Sequence, residues 1–235
     1  MKERLWRILN LIFAGLFLGV SFGTVLPAFA WYAGGFILAV ALANAILGKR
    51  RDKILSILFL IGYFGTLASV STLALKLIVS VVAVILFYFF QTRDEKSPFL
   101  FNDFFVLSAG FLLLTGIWSF SYFFSPHWWV VMILTFVLFF VFMHRIYSRV
   151  AVLGADALLW ALIAALLMAE VAWAALHLPV HFLTSAVLNF GVFYLVYQFS
   201  SLHFAGKLAK NKVYFHALLI GIVVILSLTS SPWRP

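Results

Sequence analysis

The chain has 235 residues, of which 66% are hydrophobic and only 10% are charged. Soluble globular domains carry about 25% charged residues, so this composition excludes an ordinary soluble domain and indicates an integral membrane protein. The net charge of +9 does not indicate nucleic-acid binding, because the basic residues lie in short gaps between apolar runs. The absence of cysteine excludes disulfides, thiolate nucleophiles and cysteine-bound metals.

Apolar runs long enough to cross a bilayer recur along the whole chain. The hydrocarbon core is spanned by about 20 residues, and on that length the sequence divides into nine predicted spans. The run 54–91 is too long for one span, so we expect a tight turn near Ser69–Thr72. The predicted fold is an all-α, polytopic transmembrane helical bundle that forms one membrane domain over residues 1–235, without a soluble domain. The predicted spans are 6–25, 31–48, 54–70, 72–91, 101–123, 128–146, 155–177, 180–200 and 214–230.

Glycines recur every four residues in the first predicted span, at Gly15, Gly19 and Gly23. Small residues at this spacing let two membrane helices approach closely. We therefore expect this face to pack against a neighbouring helix. A second copy of the chain and a different membrane protein are both candidates for that neighbour.

Basic residues mark alternate turns of the predicted bundle. Of the 16 lysines and arginines, 14 fall in residues 1–7, 49–53, 92–97, 145–150 and 203–213. The other turns are nearly uncharged, so the pattern predicts a cell-membrane protein with its N-terminus inside and its C-terminus outside. We expect the basic inner turns to contact anionic lipid headgroups. Lys76 lies near the outer end of the fourth span, where we expect its side chain to reach the interface.

The seventh predicted span has two different faces. Alanines recur every four residues on one side, at Ala157, Ala161, Ala165 and Ala169, which predicts close packing of another helix. At 100° per residue, Glu170, Trp173 and His177 fall together on the opposite side. A charge facing lipid near the bilayer centre costs about 2.5–3.5 kcal/mol or more. We therefore expect protein against both faces, which places this helix in the interior of the bundle.

Polar residues also recur every four positions in the eighth predicted span. If the two spans form an antiparallel pair about the turn at Leu178–Val180, Glu170 lies level with Asn189 and its carboxyl group can bond to that side chain. Two interpretations remain open, an interhelical clamp that only fixes packing and a functional site, since intramembrane ionisable groups are often functional. The candidate polar site consists of Glu170, Trp173, His177, His181, Ser185 and Asn189.

No nucleotide-binding, zinc-protease or serine-hydrolase motif occurs in the sequence. Glu170, His177 and His181 offer three metal ligands at most, and Pro179 interrupts the helix between the two histidines. We therefore predict no metal and no cofactor.

Part of the chain resembles a known group of proteins. The pattern covers roughly the last 70 residues and resembles a family of uncharacterised polytopic bacterial membrane proteins. The resemblance implies a membrane location and a helical fold, and no particular reaction. The residues that carry it are Glu170-x-x-Trp173, Leu178-Pro179, Tyr194, Tyr197, Gly206 and Leu208.

The sequence favours a non-enzymatic membrane protein. A small, nearly loopless chain with one carboxylate deep in a span is typical of a carrier or permease-like protein, or of an accessory subunit of a membrane assembly. The alternative is a membrane-embedded enzyme that uses Glu170 as acid or base with His177 or His181.

Overall fold

A computed structural model describes residues 12, 15, 16, 35, 36, 39, 53–92, 100–148 and 154–231. Every regular element in these ranges is an α-helix. The chain divides into two compact units, Met1–Gly116 and Ile117–Pro235. The helices described over their length are α1 (Lys53–Ser69), α2 (Leu73–Thr92), α3 (Leu100–Phe124), α4 (Trp128–Tyr147), α5 (Gly154–Leu176), α6 (Phe182–Phe204) and α7 (Lys210–Ser230).

Five of these helices are long and apolar enough to cross a membrane, and α1 and α2 contain shorter apolar segments. The prediction of an all-α chain with several membrane-crossing helices is thus confirmed for the described part. The predicted spans from residue 54 onward each correspond to one helix, with ends that differ by a few residues. The predicted spans 6–25 and 31–48 lie almost wholly outside the described residues, and so do Gly19 and Gly23.

The long apolar run in the first unit is divided where the sequence predicts a turn. Helix α1 ends at Ser69 and α2 begins at Leu73. The Ser69 hydroxyl donates to the carbonyl oxygen of Thr66 at 2.7 Å. The same carbonyl also accepts from the backbone amide of Val70 at 3.2 Å, so two donors satisfy it at the end of the helix.

Helices α1 and α3 touch through their backbones in the first unit. A Cβ atom on Gly65 would lie 2.6 Å from the Cα atom of Gly116, and one on Gly62 would lie 2.5 Å from the backbone nitrogen of Leu113. The Thr66 hydroxyl donates across the contact to the carbonyl oxygen of Leu112 at 3.2 Å. No side chain larger than hydrogen fits at Gly62 or Gly65 without a shift of the helices.

The contact between α1 and α3 was not predicted from the sequence. The predicted packing face was that of Gly15, Gly19 and Gly23, and its first residue is exposed. Gly15 is exposed, and a Cβ atom there would meet no atom within 4 Å in the part of the chain that the structure describes. Packing through Gly15, Gly19 and Gly23 stays a prediction.

Helix α5 has two packed neighbours in the second unit. It packs against α4 and α6, and α6 in turn packs against α7. The alanines along one side of α5 are buried, and such a surface of small side chains allows a neighbouring helix to approach closely. The buried alanines are Ala157, Ala161, Ala164, Ala165, Ala169, Ala172 and Ala175.

The turn between α6 and α7 requires a glycine. Gly206 has a φ of +63°, in the left-handed region that favours glycine. The amide of Lys207 donates to the Leu202 carbonyl, and that of Gly206 to the His203 carbonyl, both at 2.9 Å. This pair of bonds is the Schellman motif, which ends α6 and turns the chain toward α7.

Candidate functional site

The structure divides the six residues of the candidate polar site between the outside and the inside of the second unit. Glu170, Trp173 and His177 are exposed on the side of α5 away from its alanines, and we call these three residues the Glu170 face. Ser185 and Asn189 of α6 are buried. Within the described part of the chain these three side chains are exposed, so the expectation that protein covers both faces of α5 is not met there. On the opposite face, Ala172 and Ala175 pack in one cluster with Ala186 of α6.

The Glu170 face has a defined local geometry. The Nδ1 atom of His177 donates to the carbonyl oxygen of Trp173 at 2.9 Å. The two rings meet edge to face with their centroids 5.0 Å apart. In the neutral imidazole this bond fixes the proton on Nδ1 and leaves Nε2 as an acceptor. Glu170 precedes His177 by seven residues, a rise of about 10.5 Å along the helix, so the two residues lie two turns apart on one side.

Asn189 does not bond to Glu170. Its Nδ2 atom donates to the carbonyl oxygen of Ser185 on its own helix at 2.9 Å. Its Oδ1 atom is buried and has no hydrogen-bond partner in the described part of the chain. The candidate site therefore contains an unsatisfied buried acceptor.

His181 has a structural role at the start of α6. It is the N-cap residue, and its Nδ1 atom accepts from the backbone amide of Leu183 at 3.4 Å. Its ring lies 5.6 Å from the ring of Tyr122, measured between centroids. The first backbone amides of a helix have no acceptor within the helix, and a cap of this kind provides one of them with an acceptor.

Three hydrogen bonds between side chains connect different parts of the second unit. None of these bonds was part of the predicted site. The hydroxyl groups of Tyr147 and Ser200 are 2.9 Å apart and join α4 to α6. Two further bonds extend from α6, from Tyr194 to His216 at 2.8 Å and from Thr184 to Ser231 at 3.0 Å. The sequence shows these residues as isolated polar positions in different spans, and only the packing of the helices pairs them.

A buried polar group in the first unit was also missed. Lys76 is only 8% exposed, so the expectation that it reaches the interface is wrong. Next to it, the Ser80 hydroxyl bonds to the Lys76 carbonyl at 2.8 Å and to the Tyr63 hydroxyl at 2.7 Å. The signal in the sequence is that Lys76 is the one charged residue between Ile54 and Gln91.

The remaining observations bear on cofactors and relatives. Among the residues that the structure describes, no group of three or more His, Cys, Asp or Glu side chains could hold a metal ion. No protein-family model, curated protein or solved structure matches this chain.

Proposed function

We propose that this protein is a non-enzymatic, multi-pass cell-membrane protein that acts as an accessory subunit of a larger membrane assembly. One observation carries the proposal: Glu170 lies within a helix that is long and apolar enough to cross a membrane, and its side chain is exposed. A carrier or permease needs an enclosed polar path, and an exposed carboxylate favours the accessory subunit over that role.

The position of Glu170 along α5 supports a protein partner. The residue lies about 9 Å from the end of the helix at Leu176 and about 24 Å from its start at Gly154. An ionisable group inside a span faces a protein or a water-filled cavity, because exposure to hydrocarbon costs several kcal/mol. The exposed Trp173 and His177 extend the same surface and add an acceptor and two aromatic rings to it.

The partner that best fits this face is a different membrane protein with a lysine or arginine at the depth of Glu170. Opposite charges within the bilayer stabilise one another by pairing. A parallel pair of copies with two-fold symmetry would instead bring Glu170 against its own equivalent at the same depth. Two carboxylates in that arrangement repel each other unless one of them is protonated.

The finer topology forms part of the proposal. Nine spans, with the N-terminus inside and basic inner turns against anionic headgroups, follow from the charge pattern. The resemblance of the last third of the chain to uncharacterised bacterial membrane proteins implies a membrane location and a helical fold only. Reporter fusions after residues 52, 95, 148 and 209 should give cytoplasmic signals, and fusions after 74, 126 and 179 should not. A cytoplasmic signal at residue 179 would contradict the topology.

Site-specific cross-linking tests the proposed partner, and the chain has no cysteine of its own to interfere. Leu166 lies one turn before Glu170 and is 48% exposed, whereas Leu226 on α7 is 62% exposed and serves as the control. In native membranes, Leu166→Cys labelled with a maleimide–benzophenone and irradiated, so that the excited ketone inserts into a nearby C–H bond of the partner, should give an adduct heavier than the 26.5 kDa chain. Leu226→Cys should give none.

The composition of the adduct decides between the outcomes. Mass spectrometry should identify a protein with a basic residue inside a span. Adding Glu170→Gln should lower the yield about tenfold or more, because loss of one partner of a buried ion pair costs about 3–5 kcal/mol. An adduct made only of two copies of this chain, no adduct, or a yield that does not depend on Glu170 would overturn the proposal.

A further inference from the structure

Three buried side-chain atoms in the second unit have no hydrogen-bond partner among the described residues: Trp118 Nε1, His144 Nδ1 and Asn189 Oδ1. The first and the last of these are chemically complementary. The indole nitrogen of Trp118, Nε1, is a donor, and Oδ1 of Asn189 is an acceptor. Trp118 is 4% exposed and Asn189 is 0% exposed. Buried polar groups nearly always have a hydrogen-bond partner. A buried donor and a buried acceptor that both lack one in the same unit therefore require an explanation.

Trp118 belongs to a cluster that three helices form, and Asn189 lies close to that cluster along α6. Trp118 of α3 packs in one cluster with Ala172 of α5 and Ala186 of α6. Asn189 follows Ala186 by three residues, a rise of about 4.5 Å on nearly the same side of α6. Asn189 is therefore within about one helical turn of a residue in the cluster of Trp118.

The contacts already present show which atom of each side chain is left for a ligand. Around Trp118 the cluster contains Ala172, Ala175, Phe182 and Ala186, with Tyr122 and Leu176 packed against it, and none of them bonds to the indole nitrogen. The amide nitrogen of Asn189 is already used by the Ser185 carbonyl. The amide orientation is thereby fixed, and it leaves the oxygen, rather than the nitrogen, without a partner.

We propose that a single hydroxyl oxygen binds between Trp118 and Asn189, accepting from the indole N–H and donating to the amide oxygen. Water and the hydroxyl group of an amphiphile share this chemistry. A water molecule or such a hydroxyl group would give both the indole N–H and the amide oxygen a hydrogen-bond partner. Buried waters commonly bond to two to four polar groups in this way. The site is distinct from the Glu170 face and does not depend on the proposed membrane partner.

Nuclear magnetic resonance of the intact chain in micelles tests the proposal directly. Labelling tryptophan with nitrogen-15 gives indole signals from the eight tryptophans, and Trp118→Phe identifies the signal of Trp118 by its disappearance. That signal should show a cross-peak to a hydroxyl proton. A cross-peak to water and one to an amphiphile hydroxyl identify the two sources of the oxygen, and both support the site. The absence of any such cross-peak overturns it.

A double-mutant cycle provides an independent measurement. Trp118→Phe and Asn189→Leu each remove one partner, and each should lower the midpoint of thermal unfolding by about 2–4 °C. If one oxygen joins the two groups, the double variant should lose clearly less than the sum of the two losses. The matched control combines Asn189→Leu with Trp128→Phe, at a tryptophan that is 56% exposed, and should be additive. Additivity of the Trp118 and Asn189 changes would contradict a shared ligand.

Discussion

Replacing Gly65 with alanine tests the backbone contact between α1 and α3. The added Cβ atom would lie 2.6 Å from the Cα atom of Gly116. Carbon atoms pack at about 3.5–4.0 Å, so the two helices must separate by about 1 Å. The atom that it meets belongs to the backbone of α3 and cannot rotate away, as the end of a flexible side chain could.

The expected loss of stability follows from three contributions. Overpacking of a tight contact costs about 1–3 kcal/mol. The bond from Thr66 to Leu112, now 3.2 Å, would stretch to about 4 Å and be lost, at no more than about 0.6 kcal/mol, because the same hydroxyl keeps its 2.9 Å bond to the Gly62 carbonyl. Alanine is a better helix former than glycine by about 0.5–1 kcal/mol, which offsets part of the loss. The net destabilisation of Gly65→Ala should be about 0.5–3 kcal/mol.

Unfolding by SDS in mixed micelles measures this difference, with a second glycine as control. Gly221 also lies in a helix, α7, but a Cβ atom there would meet nothing within 4 Å. Gly221→Ala should therefore keep or raise the free energy of unfolding by about 0.5–1 kcal/mol. Gly116→Ala, whose Cβ atom would lie 3.4 Å from Gly65, should fall between the two. If Gly65→Ala were as stable as Gly221→Ala, α1 and α3 would not be in backbone contact.

Three further predictions use the same unfolding assay. Gly206→Ala should lose about 1 kcal/mol, because alanine disfavours the left-handed φ that the Schellman turn needs, and Gly206→Asn should lose less. Tyr147→Phe should cost about 0.6–1.7 kcal/mol by breaking the bond to Ser200, and this cost should disappear in a Ser200→Ala background, where the partner hydroxyl is already absent. Glu170→Leu should leave the stability of the isolated chain in detergent unchanged or higher, because the side chain is exposed and its carboxylate has no hydrogen bond to a described residue. A large loss for Glu170→Leu would show that the Glu170 face is covered within the chain.

The positions of the helices could be predicted well from the sequence because hydrophobic length is a local property. A span needs about 20 apolar residues regardless of its neighbours, so each run from residue 54 onward marks one helix. Even the break in the run 54–91 followed from length alone. The contact of Gly65 with Gly116 could not be predicted in this way, since it depends on which spans lie side by side, and no local pattern records that.

Buried polar pairs were missed for the same reason. Tyr147 and Ser200 are separated by more than one complete span, and each resembles an ordinary polar residue near a membrane interface. Lys76 was assigned to the interface by its distance from the end of a span, a measure of depth along the helix axis. Its burial depends instead on which side of the helix faces the neighbouring helices.

The division of the candidate site has a simple geometric cause. Depth places Glu170 level with Asn189, but two residues at one depth meet only if each also points toward the other helix. Ala172 lies 200° around α5 from Glu170 at 100° per residue, and Ala172 is the residue that packs in the cluster with Ala186 of α6. Once α6 packs on the alanines, Glu170 must point away from it. The small residues that let α4 and α6 approach closely therefore also direct the carboxylate outward, toward whatever covers α5 in the membrane.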